Sequence, residues 1–148
     1  MRLVDVYLYK KEHDKVNHLI FKRASDVIYA RQWRMIGGKV KENEKAYEAA
    51  RRELKEETAL TPTNFWSIPS LNSFYDYQTD TLHHIPAFAA EVPFKTPKLN
   101  HEHTEFKWID SEEICQYIVW PKQQRLMQLL TSIIMNNQLI DEWIIKEI

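Results

Sequence analysis

Three glutamates, Glu53, Glu56 and Glu57, stand at i, i+3 and i+4, the spacing at which side chains converge within one turn of a helix. The residues before them carry a helical apolar pattern: Ala46, Ala49 and Ala50 share a face that Tyr47 and Leu54 extend. Projected forward, that face reaches Glu53 and Glu57, with Glu56 at its margin. Periodicity therefore places the acids on, or at the border of, the side that should face a core. Carboxylates taken out of water must be paired, protonated or bound to a cation. Converging carboxylates are hard oxygen ligands of the kind that suit Mg²⁺ or Mn²⁺. Arg52, next to Glu53, can pair with an acid such as Glu44 or Glu48 and hold the group in place.

Just ahead of this helix lie the only two glycines of the chain, side by side at Gly37 and Gly38. At average usage a chain of this length would carry roughly ten. Glycine serves tight turns, positive φ and close approach of a backbone to a ligand. Both glycines at one point mark a backbone constraint there.

The stretch from Gly37 to Leu60 resembles the signature of the Nudix hydrolases, G-x5-E-x7-R-E-(apolar)-x-E-E-x-G-(apolar). It reads Gly38, Glu44, Arg52, Glu53, Leu54, Glu56, Glu57, then Ala59 where the family has glycine, then Leu60. Six polar or glycine positions agree at fixed spacing, which chance would give on the order of once in 10⁵ sequences at ordinary residue frequencies. An ordinary charged surface helix would explain neither that spacing nor the glycine pair. The departure at Ala59 falls where a helix end commonly needs left-handed geometry, at a cost of about 1 kcal/mol for alanine if φ is positive. Ile36 stands where many members have proline.

The resemblance implies a metal-dependent enzyme that cleaves a nucleoside diphosphate linked to another group, by attack of water on phosphorus. By motif position Glu53, Glu56 and Glu57 are its Mg²⁺ or Mn²⁺ ligands, joined by backbone at Gly38. Glu44 and Arg52 orient them, and Gly37 and Lys39 lie where backbone can approach metal or phosphate. Several members bring a further carboxylate from a loop before the last strand. The segment Glu102-His103-Thr104-Glu105-Phe106-Lys107-Trp108 is similar to one in bacterial enzymes acting on dATP and dihydroneopterin triphosphate, which puts Glu102 at that position and leaves Glu105 as the alternative. His101 and His103, two apart on a polar loop, read as ordinary exposed histidines rather than as a metal pair.

For substrate, Lys22, Arg23, Arg31 and Arg34 precede the glycines and can receive phosphates. Trp33 matches a tryptophan before the box in the same enzymes, and Trp120 to Arg125 resembles their Trp-x-x-x-Gln stretch. Aromatic planes there can stack a base or a pterin, although core packing is the commoner use of tryptophan. The leading expectation is a nucleoside- or pterin-triphosphate pyrophosphohydrolase. Its rivals are hydrolysis of a diadenosine polyphosphate, a nucleotide sugar or an oxidised dNTP, and a Nudix-fold binding module without turnover. A binding module would be expected to lose box acids, and all are present.

The rest of the chain must position these groups. Its 148 residues, 44% hydrophobic and 28% charged, suit one soluble domain with a sizeable core. A net charge of −1 argues against a general binder of nucleic acid or anionic membrane. The single Cys115 offers no disulfide framework or zinc cluster and fits a reducing cytoplasm. The N-terminus has no apolar signal core and no segment has the length of a membrane span. Oligomeric state is left open. Strands are expected at 2–9, 16–22, 64–78, 82–92 and 106–109, with a loop or short strand over 23–33. Helices are expected at about 44–58, after Asp110 with Glu113 as its capping partner, and from Pro121 to about Met135. Mixed strands with a central and a terminal helix make an α/β/α sandwich, the fold that the resemblance also implies.

Overall fold

The computed structural model describes residues 2–146. Seven strands form a mixed sheet with three helices around it: β1 (Leu3–Glu12), β2 (Lys15–Arg23), β3 (Trp33–Arg34), β4 (Ile36–Lys39), α1 (Ala46–Thr58), β5 (Asn64–Asp76), β6 (Thr81–Glu91), β7 (His103–Asp110), α2 (Ile114–Tyr117) and α3 (Pro121–Met135). None of these helices is long and apolar enough to cross a membrane.

β1 is buried on both faces, and its alternation sorts the core into two layers. Tyr7 and Tyr9 join Trp66, Ala87 and Ala89 under Leu126, Met127, Leu130 and Ile133 of α3. Val4, Val6 and Leu8 join Phe88 and Ala90 under Ala49, Ala50 and Leu54 of α1. Ala49 and Ala50 of α1 are fully covered, so this helix lies close on the sheet and brings its acids down with it. The α/β/α sandwich with a mixed sheet expected from the sequence is what forms.

The pairing creates an irregularity that the site uses. β1 pairs with β2 from Leu8↔Leu19 onward, but its first half pairs with β4, through Val6↔Ile36, Asp5↔Gly37 and Val4↔Gly38. The far end of β2 meanwhile pairs with β3, through Phe21↔Arg34 and Lys22↔Trp33. The β3–β4 segment is thus a wedge between two strands that diverge. β7 lines the other edge of β2, and β6 runs parallel to β1.

The expected elements are found with shifted ends. α1 starts at Ala46 instead of Glu44 because Glu44 accepts a hydrogen bond from the Lys41 amide at 2.9 Å and closes the preceding turn. Glu48 then accepts from the Lys45 amide at 2.8 Å, so it caps the helix and is not the partner of Arg52. β7 begins at His103, three residues before the expected Phe106. The capping box at Asp110–Glu113 and the helix from Pro121 to Met135 form as read.

Ala59 ends α1 in the left-handed region, φ 60°, with its amide on the Lys55 carbonyl at 2.9 Å. The family glycine position therefore keeps its geometry and alanine bears the strain. Ala59→Gly is expected to raise stability by about 0.5–1 kcal/mol, a rise in Tm of roughly 1–4 °C for a domain of this size, in a thermal melt.

Candidate active site

Arg52 is the centre of the acid cluster. Its Nε and one Nη2 proton reach Glu44 at 2.8 and 3.0 Å. Nη1 donates to Glu53 at 2.8 Å and to Glu56 at 3.3 Å, and Nη2 also reaches the Lys39 carbonyl at 2.8 Å. These five contacts use all five guanidinium protons, tying two box acids, the pre-helix turn and β4 into one unit. The bond to Arg52, with the Lys41 amide, holds the Glu44 carboxyl down at about 2. Arg52 reaches Glu44 rather than Glu48.

The glycine pair lies inside β4, not in a turn, and neither glycine has positive φ. The constraint is steric. A Cβ on Gly38 would fall 2.2 Å from Cδ of Glu53. A Cβ on Gly37 would meet the Val4 carbonyl at 3.0 Å and Asp5 Oδ1 at 3.4 Å. One glycine thus makes room for a box acid and its neighbour makes room beside Asp5.

Glu57 is 1% exposed, and neither of its carboxylate oxygens has a hydrogen-bond partner among the described residues. It faces Glu102 and His103, with one ligand atom from each of the three lying within 4.8 Å of the others. Burial first, then the Glu102 and Glu53 carboxylates, push the Glu57 carboxyl up to about 11. A buried carboxyl among like charges must hold either a proton or a cation. These orphaned oxygens, together with Glu53 and Glu102, fit a divalent ion with hard ligands. The structure brings Glu102 to the cluster. Glu105 points away and meets Lys22 at 3.4 Å while 57% exposed. Glu56, 51% exposed, sits on the rim.

His101 is exposed as expected, but His103 is not: its side chain is fully buried, with Nδ1 3.7 Å from Glu57 Oε1. The early start of β7 takes His103 out of the polar loop.

The basic groups continue from the acids. Arg23, whose Nε is fixed on the Ile28 carbonyl at 3.1 Å, acts on Glu102, His103 and Arg34. Arg34 lies over the Tyr29 ring at 4.3 Å and the Trp120 ring at 5.6 Å, and its Nη1 is buried without a hydrogen-bond partner among the described residues. Phe74 meets Trp120 at 5.7 Å and His83 at 4.9 Å. Trp33 is half-buried and packs edge-on against Tyr117 at 6.0 Å, away from this aromatic group. The Lys39 side chain is exposed.

Sequence reading missed the floor of this aromatic group. Asp5 is buried and accepts from Asn72 Nδ2 at 3.1 Å, next to Tyr7 and Arg34. Burial pushes its carboxyl up to about 6 against the pull of Arg34, Asn72 and Tyr7. The available signal was an aspartate inside a strand, Val4-Asp5-Val6, that apolar residues on both faces mark as fully buried.

An ordinary aspartate titrates near 3.8 and folded Asp5 near 6, so the folded form holds its proton more tightly. The resulting cost is absent below about pH 4, grows through pH 4–6 and is complete above. Asp5→Asn is therefore expected to stabilise the protein at pH 8 by up to about 3 kcal/mol, from roughly two units at 1.36 kcal/mol each, and not at pH 4. Chemical denaturation at the two pH values checks this.

Comparison with known proteins agrees with the geometry. The NUDIX domain model matches residues 1–130. The nucleoside triphosphatase NudI of Escherichia coli O139:H28 is 28% identical over 125 residues, which cover 76% of this chain and 89% of that protein. A Nudix hydrolase of Listeria monocytogenes superposes with a TM-score of 0.77 at 21% identity, over 93% of this chain and 96% of that one. The E. coli dihydroneopterin triphosphate pyrophosphohydrolase gives 0.70 at 20% identity, over 87% and 93%. The acid unit around Arg52, the glycine packed on Glu53 and the domain match together place this chain in the Nudix family of hydrolases, which act on phosphoric anhydride bonds.

Proposed function

We propose that the protein hydrolyses a nucleoside triphosphate, or dihydroneopterin triphosphate, to a monophosphate and pyrophosphate with Mg²⁺ or Mn²⁺ at Glu53, Glu56, Glu57 and Glu102. The observation that carries this reading is the continuity of one site. Box acids, two arginines and an aromatic-walled polar floor follow one another from α1 across the β3–β4 wedge. A relative named as a nucleoside triphosphatase and a fold neighbour acting on a pterin triphosphate support the same substrate class.

A divalent ion bound at the acids supplies charge neutralisation along the phosphate chain and lowers the pKa of a bound water. The protein side of the chemistry is positioning. Arg52 fixes Glu53 and Glu56 in one plane of contacts, and Gly38 lets Glu53 sit against β4. Arg23 and Arg34 offer donors to phosphate oxygens, and Lys39 flanks them from β4. Tyr29, Phe74 and Trp120 offer ring faces and edges to a flat heterocycle. Asp5 and Asn72 offer an acceptor and an amide to its polar edge.

A panel with Mg²⁺ tests the substrate class: the four dNTPs, dihydroneopterin triphosphate, a diadenosine polyphosphate, ADP-ribose and a nucleotide sugar. Turnover of a triphosphate with the highest kcat/KM supports the proposal and chooses between base and pterin. Turnover confined to the dinucleotide, ADP-ribose or the sugar nucleotide overturns it.

A further inference from the structure

We propose that the metal at this site takes a nitrogen ligand, the imidazole of His103, beside the carboxylates. The inference rests on the metal-site reading above and adds a donor of a different chemical kind.

Backbone irregularity puts His103 there. β2 and β7 pair in register through Phe21↔Phe106 and Lys22↔Glu105, and the next pair would be Arg23↔Thr104. The observed pair is Arg23↔His103, with a bulge between Lys22 and Arg23. Strict alternation would leave His103 on the side of Glu105. The bulge carries it to the side of Phe21, whose ring it meets at 5.4 Å and which packs in the layer beneath α1. Bulges recur where a sheet must re-aim a side chain at a site.

The ring arrives there without a partner. Its side chain is 0% exposed, and neither ring nitrogen has a hydrogen bond among the described residues. A buried imidazole in that condition loses about 1–3 kcal/mol for each unsatisfied group. Glu57 Oε1, 3.7 Å from Nδ1, is beyond hydrogen-bond reach. That separation does suit two ligands of one ion. Donors each about 2.1 Å from an ion lie roughly 3.0 Å apart at a right angle and roughly 4.2 Å apart when opposite. Glu102, with an oxygen inside the same 4.8 Å group, supplies a third donor. A cation shared by Glu57, Glu102 and His103 satisfies both orphaned residues at once.

A nitrogen donor has a consequence for ion choice. Carboxylate and water suit Mg²⁺, while imidazole favours the first-row transition ions. The site should accept Mg²⁺ but prefer Mn²⁺ by more than an all-oxygen cluster would.

The test is pulsed EPR on the Mn²⁺-loaded full chain, with natural and ¹⁵N-histidine-labelled protein, beside Mn²⁺ and Mg²⁺ titrations of wild type, His103→Asn and Glu57→Gln. The expected result is a nitrogen coupling that changes frequency on labelling. His103→Asn should lose it, together with tenfold or more in Mn²⁺ affinity, and change by under threefold for Mg²⁺. If Mn²⁺ binds in one equivalent, weakens in Glu57→Gln and shows no nitrogen coupling in wild type, the inference is overturned and the carboxylate site stands. If wild type binds no Mn²⁺, both are overturned. The wild-type spectrum decides even if His103→Asn fails to fold.

Discussion

Glu57→Gln is expected to lower Mg²⁺-dependent turnover by roughly 10³-fold or more while the folded state survives. The buried carboxyl has no protein hydrogen-bond partner among the described residues, and it lies against Glu102 and His103. An amide there is nearly isosteric but cannot carry the negative charge that a divalent ion needs from its ligand. Several kcal/mol of transition-state stabilisation depend on that ion. The stability of the metal-free variant should be equal to or above that of the wild type. Burial and the neighbouring Glu102 and Glu53 carboxylates raise the folded Glu57 carboxyl well above the ordinary glutamate value, so holding it ionised without metal costs stability. Glutamine carries no such cost. Steady-state kinetics at saturating Mg²⁺, paired with a melt in chelator, separates the two effects. Wild-type activity in this variant would remove Glu57 from the metal site.

Gly38→Ala is expected to be nearly as damaging to turnover, and Gly37→Ala is expected to damage stability instead. At Gly38 the added methyl would fall within 2.2–2.6 Å of Cδ, Oε1 and Cγ of Glu53. What must move is the end of one side chain, so the backbone stays and the Glu53 carboxylate is displaced. A misplacement of about 1 Å can cost on the order of 10²-fold in rate, with little change in Tm. At Gly37 the methyl would meet the Val4 carbonyl oxygen at 3.0 Å, which belongs to the β1 backbone. Strain in a packed strand pair of this kind costs about 1–3 kcal/mol, and activity per folded molecule should fall by less than in Gly38→Ala. Measuring kcat and Tm for both variants checks the contrast. Equal kcat in Gly38→Ala and wild type would show that the placement of Glu53 against β4 is immaterial.

These residues also show how far sequence carries. Spacing was enough for the box, because helix geometry turns i, i+3 and i+4 into neighbours without any knowledge of the fold. It was also enough for the partnership of Arg52 and Glu44, though not for the choice against Glu48, which depends on where α1 begins. The glycine pair was visible as a constraint but its cause was not. No turn or positive φ is involved, and a steric limit against Glu53 exists only once β4 and α1 are packed. His103 was misread because a bulge changes which face a strand residue occupies, and no local pattern announces that. Asp5, Asn72, Phe74, Tyr29 and Trp120 come from distant segments of the chain, so their convergence depends on the β3–β4 wedge and on the register of β5 and β6. Asp5 left a trace as one acid in a buried strand, and Trp120 as the start of the Trp-x-x-x-Gln stretch.

The product balance of a triphosphate turned over with Mg²⁺ tests the central proposal most directly. One pyrophosphate and one monophosphate per substrate consumed, and none in chelator, is the expected result. Orthophosphate with a diphosphate product, turnover that persists without metal, or tight triphosphate binding with no product would each contradict it.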